Sequence, residues 1–280
     1  MTTATENKLK PGIYRNVDFP AYLKWDCPSH SVLKAGRESA MHMKAAIESP
    51  VTVASDEMLL GSALHTCFLE PEYMSTRVVE WTGARRYGAI WDDFCETHEG
   101  KIILTTGLYD RLVGMVQSLR KHPFTRNWTA QIEHCEVSAV GEIAGVLCKG
   151  RADAITNDPL VDIKSCRSNS ERDIRTAIHT LGYHIQAATY RRLFNRERFV
   201  LLTVENHPPY RVGPIELDDM ALRVGDQELL SLVGMYKYGV ESGEWPGGYE
   251  DDSPVLTSLP DWVMESRAAN ITIGGETAFN

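Results

Sequence analysis

Several absences narrow the field before any motif is read. The 280-residue chain holds no stretch near the roughly 18 to 20 apolar residues that a membrane-spanning helix needs. Its opening, "MTTATENKLKPG", has no apolar segment of the kind a secretory signal carries. A cytoplasmic protein with no membrane partner is therefore expected. There is no Gly-x-x-x-x-Gly-Lys-[Ser/Thr] loop to cradle nucleotide phosphates, which argues against an ATP-driven motor or a kinase. The six cysteines (Cys27, Cys67, Cys95, Cys135, Cys148, Cys166) form no Cys-x-x-Cys pair, so neither a zinc ribbon nor a disulfide framework is suggested. They read as reduced, mostly buried thiols. Internal repeats and low-complexity runs are also lacking.

What remains is an ordinary globular composition, 43% hydrophobic, long enough for a real core. The net charge of −9 opposes nucleic-acid binding until it is divided by segment. Residues 165–211 carry eight arginines against four acids, whereas residues 241–265 carry seven acids and no Lys or Arg. The first segment suits a phosphate backbone and the second does not.

Periodicity changes along the chain. Residues 29–48 read as a helix with Ser29 or Ser31 near its cap, 55–70 as a helix opened by Ser55 and stopped before Pro71, and 105–121 as a helix with Leu108, Leu112, Met115, Val116 and Leu119 on one stripe. From about 131 the pattern alternates: "IEHCEVSAV", "AGVLCKGRADAI" and "PLVDIKS" read as successive strands of a meander. A helix over roughly 172–194, a strand over 198–206 and a helix over about 216–240 follow. The expected class is α/β with a mixed central sheet flanked by helices. As one domain over 1–280, it would comprise a mainly helical elaboration (1–130), a core (131–240) and an acidic, loosely ordered tail (241–280).

The segment "KGRADAITNDPLVDIKS" (149–165) places charges inside two apolar strands. A two-residue turn at Asn157-Asp158 puts Asp153 opposite Asp162, and side chains so opposed lie about 4.5–5.5 Å apart at Cβ. Two such carboxylates call for a cation. Alternation sends Lys164 to the face of Asp162 while Ile163 points the other way. Hard oxygens with room for water and phosphate suit Mg²⁺, for which Mn²⁺ can substitute, and the set suits phosphodiester hydrolysis. An Asp beside a turn and a Lys on a strand edge are also common as plain salt-bridged residues.

The pattern Asp153…Asp162-Ile163-Lys164 resembles the PD-(D/E)XK nuclease motif, with Ala152 where a proline is usual. Tyr183, Gln186 and Tyr190 follow on one helical face, and "QAATY" resembles the Gln-x-x-x-Tyr element of RecB-type nuclease domains and lambda exonuclease. Upstream, "LLGSALHTCFLEPEYM" is similar to the Gly-x-x-x-His helix of that subgroup, and its wording is nearest the exonuclease VIII (RecE-type) family. "RRYGAIWDDFCETHEGKIILTTGLYDRLVGMVQSLRKHP" and "EWPGGYE" extend the likeness from about residue 28 to about 250. The resemblance implies a restriction-endonuclease-like fold and Mg²⁺-dependent digestion of one strand of linear duplex DNA, usually 5′ to 3′, by a ring-shaped oligomer serving recombination. A single-strand annealing protein is the partner it implies, and phages the common source.

Carried over residue by residue, the resemblance makes His65, Asp153, Asp162 and the Ile163 carbonyl metal ligands, with Lys164 positioning the attacking water. Gln186 and Tyr190 would hold DNA or brace the metal shell, and Glu136 would be an additional acid. Arg151, Tyr183, Arg191 and Arg192 are the expected DNA contacts. From the residues alone, His65 would equally serve as a packed histidine and the tyrosine stripe as sheet cover. An iron–sulfur nuclease of this fold would need cysteines beyond the core, but the last is Cys166. A PD-(D/E)XK endonuclease and a non-catalytic DNA-binding or scaffold protein that kept the fold stay open as alternatives.

Overall fold

The computed structural model describes residues 9–48 and 54–248, together with 254, 256–258, 272–273 and 276–277. Most of the segment read as an acidic tail therefore lies outside the described residues. The chain divides into two units, residues 1–245 and 246–280. In the first, elements run β1 (Gly12–Tyr14), α1 (Phe19–Leu23), α2 (His30–Ala35), α3 (Ala40–Glu48), α4 (Asp56–Leu69), α5 (Met74–Arg77), β2 (Val78–Trp81), α6 (Ala89–Thr97), β3 (Ile102–Thr105), α7 (Thr106–Lys121) and α8 (Pro123–Thr129). They continue with β4 (His134–Ile143), β5 (Val146–Ile155), β6 (Leu160–Cys166), α9 (Glu171–Thr180), α10 (Tyr183–Phe194), β7 (Phe199–Glu205), β8 (Val212–Glu216) and α11 (Asp219–Ser242). In the second unit, β9 (Thr272–Ile273) pairs antiparallel with β10 (Glu276–Thr277).

The main sheet has six strands in the order β1-β4-β5-β6-β7-β8, and β2 and β3 form a separate parallel pair. β4, β5 and β6 are an antiparallel meander, β6 and β7 are parallel through the α9–α10 crossover, and β7 and β8 are antiparallel. The sheet is thus mixed. Alternate strand residues feed two cores. Leu160, Phe199 and Leu201 pack with Leu33, Met43, Ile185, Leu229 and Val233 beneath α2, α3, α10 and α11. Val161, Ile163, Val200 and Leu202 pack with Leu60, Leu64, Leu112 and Met115 beneath α4 and α7.

Local chemistry sets the helix ends. Ser55 Oγ accepts from the Met58 amide at 3.3 Å, with Asp56 and Glu57 in the first turn, where the helix dipole favours acids. The predicted α7 stripe is buried as expected. Two predicted helices are each two. The helix expected over 29–48 breaks at Gly36, where a Cβ would run into the Met43 side chain, and only its first half starts at the Ser29 cap. The helix expected over 172–194 breaks at Gly182, whose φ of 69° is left-handed. The third begins at Asp219, capped by Asp218, because Val212–Glu216 extends the sheet.

Candidate active site

The register of the meander lines three acids across neighbouring strands. Cys135 pairs with Ala154 and Val137 with Ala152, which leaves Glu136 opposite Asp153. Ala154 pairs with Val161, the register that a turn centred on Asn157-Asp158 requires, which leaves Asp153 opposite Asp162. There the ladder gives way to side chains: the Ile163 amide donates to Asp153 Oδ2 at 2.6 Å. Glu136 sits at φ 52°, a backbone conformation uncommon for glutamate, next to this break.

Helix α4 brings His65 over the same point. Its Nε2 lies 3.0 Å from the Ile163 carbonyl oxygen, which can only accept, so Nε2 donates. Its Nδ1 faces Asp153 Oδ1 at 3.3 Å and Glu136 Oε1 at 4.0 Å. Burial alone would depress this imidazole. The charge and hydrogen bond of Asp153, with Glu136 beside it, outweigh burial and raise it to about 9. The same contacts hold Asp153 below its usual range against burial, while burial and the Asp153 charge push Glu136 up.

Asp162 is only 2% exposed and is held from its other side. Gln186 Nε2, on α10, donates to Oδ1 at 2.6 Å, and Lys164 Nζ stands 2.7 Å from Oδ2. Burial raises the Asp162 carboxyl, as does the neighbouring Asp153 charge. Burial works against the Lys164 ammonium, but Asp162 and Asp153 more than restore it, and it stays charged. The Tyr183 ring lies 5.6 Å from Lys164 Nζ. His65, Glu136 and Asp153 offer ligand atoms all within 4.8 Å of one another, whereas Asp162 is turned to Lys164 and Gln186.

The structure therefore brings together His65, Glu136, Asp153, Asp162, Ile163, Lys164, Tyr183 and Gln186. Tyr190 and Arg151 back this cluster from behind, whereas Arg191 and Arg192 are held by partners outside it. Tyr190 is 6% exposed: its hydroxyl faces the Gln186 side chain near Asp162, and its ring packs on Phe194, Phe199 and His30. Arg151 is a buttress: it donates to Glu136 Oε2 at 2.7 Å, the Val17 carbonyl at 2.7 Å and Ser138 Oγ at 3.2 Å. Arg192 binds Asp226 on α11 at 2.9 Å, and Arg191 donates to the Glu197 carbonyl. His30 escaped sequence reading. It stacks edge-on to Tyr190, and burial, with the Lys164 and Lys34 charges, pushes its imidazole down to about 3. A lone histidine at a helix start carried no signal for this.

A mixed sheet whose antiparallel β5–β6 hairpin presents Asp…Asp-x-Lys beside a parallel strand, covered by helices on both faces, defines the PD-(D/E)XK class of nuclease-like folds. More narrowly, the chain belongs to the family described as PDDEXK-like domain of unknown function (DUF3799), whose match spans residues 29–251. No curated protein matches the sequence. Among solved structures, a candidate exonuclease from Eubacterium rectale is similar at 14% identity and a TM-score of 0.61, with 92% of this chain and all of that chain (100%) covered. That likeness supports the fold. The alkaline exonuclease LHK-Exo of Laribacter hongkongensis, in complex with dAMP, aligns at 13% identity and a TM-score of 0.35, over 78% of this chain and 93% of that one.

Proposed function

We propose that this chain is a divalent-metal-dependent deoxyribonuclease that degrades one strand of linear duplex DNA from an end, 5′ to 3′, in recombination or repair. The observation that carries the reading is the convergence of Asp153, Asp162, Lys164 and His65 around the Ile163 backbone, where oxygens from three strands gather on one imidazolium. A cluster that already holds a positive group among buried oxygens fits a divalent cation in chemistry. Asp153, the Ile163 carbonyl, His65 once its proton is displaced and Asp162 once it releases Lys164 would hold it, with Glu136 adjoining, and Mg²⁺ is the ion that hard oxygens favour, Mn²⁺ being an able substitute. Such an ion supplies Lewis acidity toward a phosphoryl oxygen and makes water acidic enough to attack near neutral pH.

The side chains do the rest. Lys164 is held charged yet about a quarter exposed (26%), able to meet negative charge developing on a phosphate or to orient the attacking water. Gln186 fixes the rotamer of Asp162, and Arg151 that of Glu136. The absence of a base-reading element in the sequence favours action at ends. The RecE-type likeness supports a ring of several copies and a single-strand annealing protein as partner.

The test is incubation of purified protein with end-labelled linear and closed circular duplex DNA, in Mg²⁺ or in EDTA. Linear DNA should be shortened only with the metal, and circles spared; efficient nicking of circles would make the chain an endonuclease instead. Asp162→Ala and Lys164→Ala should each lower turnover by about two orders of magnitude or more with circular dichroism unchanged. Near-normal turnover in both would end the assignment.

A further inference from the structure

A second set of metal-binding side chains lies apart from the active site. His179 near the end of α9, His184 in the first turn of α10 and Glu228 on α11 offer ligand atoms all within 4.8 Å of one another. The proton arrangement at His184 is the informative part. Its Nδ1 is 2.8 Å from the Ile178 carbonyl oxygen, which can only accept, so Nδ1 carries a hydrogen. The other ring nitrogen, Nε2, is aimed at Glu228 Oε2 at 3.0 Å, and the side chain is 3% exposed. A backbone carbonyl on one ring nitrogen is how metal-bound histidines are oriented, and the proton that Nε2 now shares with Glu228 is the one a metal ion would displace.

The spacing agrees. Two ligands bound to zinc at about 2.0–2.1 Å in a tetrahedron lie roughly 3.3 Å apart, so the 3.0 Å pair needs little movement. A cation already covers the cluster. Arg37 Nε lies 3.5 Å from Glu228 Oε2 and one terminal nitrogen 3.3 Å from His179 Nδ1, while the other donates to the His179 carbonyl at 2.6 Å. A metal would replace the longer contacts to Glu228 and to the His179 ring, whose Nε2 is also 3.5 Å from Arg37, and leave the shortest in place.

We propose that His179, His184 and Glu228 bind one transition-metal ion, Zn²⁺ by chemistry, at the junction of α9, α10 and α11. Two imidazoles and one carboxylate favour Zn²⁺ over Mg²⁺, so this centre differs in metal from the one proposed for the nuclease. Its role is structural. It ties the α9–α10 corner at Gly182 to α11, and that corner opens the helix from which Tyr183 and Gln186 reach Lys164 and Asp162.

The test uses the full chain carrying His65→Ala and Asp153→Ala, which removes two of the three groups clustered at the first centre. The protein is stripped with EDTA, dialysed and titrated with Zn²⁺ by calorimetry and with Co²⁺ by visible absorption. One equivalent should bind per chain and raise the melting temperature. His179→Ala and Glu228→Gln, both away from the buried core, should each weaken Zn²⁺ binding at least tenfold and remove the thermal shift, with circular dichroism unchanged. Arg37→Ala should bind Zn²⁺ at least as tightly as its parent. Absence of stoichiometric binding, indifference to both ligand variants, or loss of binding in Arg37→Ala would each overturn the proposal.

Discussion

Lys149 is 6% exposed on a central strand, where an ammonium group must find oxygens. It donates to the carbonyls of Tyr22, Leu23 and Trp25 at 3.1, 3.1 and 2.8 Å, and stands 5.0 Å above the Tyr22 ring. One side chain thereby satisfies the end of α1 and pins the N-terminal segment to β5. Lys149→Met keeps the stem and removes the charge, so the carbonyls lose their donor. It should lower stability by about 2–3 kcal/mol in urea unfolding, with the slope unchanged. Gln186 acts on chemistry instead. Gln186→Leu would leave Asp162 without its amide donor, and turnover should fall about 10- to 100-fold while the unfolding midpoint moves little. A large loss of stability with unchanged turnover would make Gln186 a core residue alone.

At the scale of elements, α10 and α11 approach so closely that a Cβ on Gly225 would meet the His184 carbonyl. Gly225→Ala should gain helix propensity yet destabilise by about 1–3 kcal/mol, because the obstruction is backbone and cannot rotate away. Thermal unfolding would check the sign, and a stabilised variant would mean that the two helices slide apart freely. This contact was invisible in the sequence, where Gly225 looked like any helical glycine. The parts that were legible depend on local rules: the α7 stripe, the Ser55 cap, and the turn at Asn157-Asp158 that set Asp153 against Asp162. What escaped depends on tertiary fit. Short strands such as Val212–Glu216 have too few residues to alternate visibly, and the break at Gly182 needs a left-handed residue whose φ only the fold reveals. The site was readable as residue types, but the division of labour was not. Glu136 joined His65 and Asp153 through the register of β4, and Asp162 turned to Lys164 and Gln186.

The whole molecule carries a net charge of −9, yet the proposed substrate is a polyanion. Sequence alone resolved this by assigning phosphates to the arginine-rich stretch. In the fold several of those arginines meet acids instead: Arg192 binds Asp226 at 2.9 Å with Arg191 3.9 Å from the same carboxylate, and Arg198 meets Glu216 at 2.6 Å and Asp158 at 3.5 Å. A guanidinium already neutralised by a neighbour releases few counterions when DNA arrives. Each true phosphate contact adds about 0.9 to the slope of log affinity against log salt. In a Lys164→Ala background, which blocks turnover, Arg191→Ala with Arg192→Ala should therefore change that slope by well under 0.9 per residue. Fluorescence anisotropy of labelled duplex across a salt series would measure it. A drop of nearly two would mean that both arginines leave Asp226 for the backbone on binding, and that α10 contributes its far end, as well as Gln186, to the DNA surface.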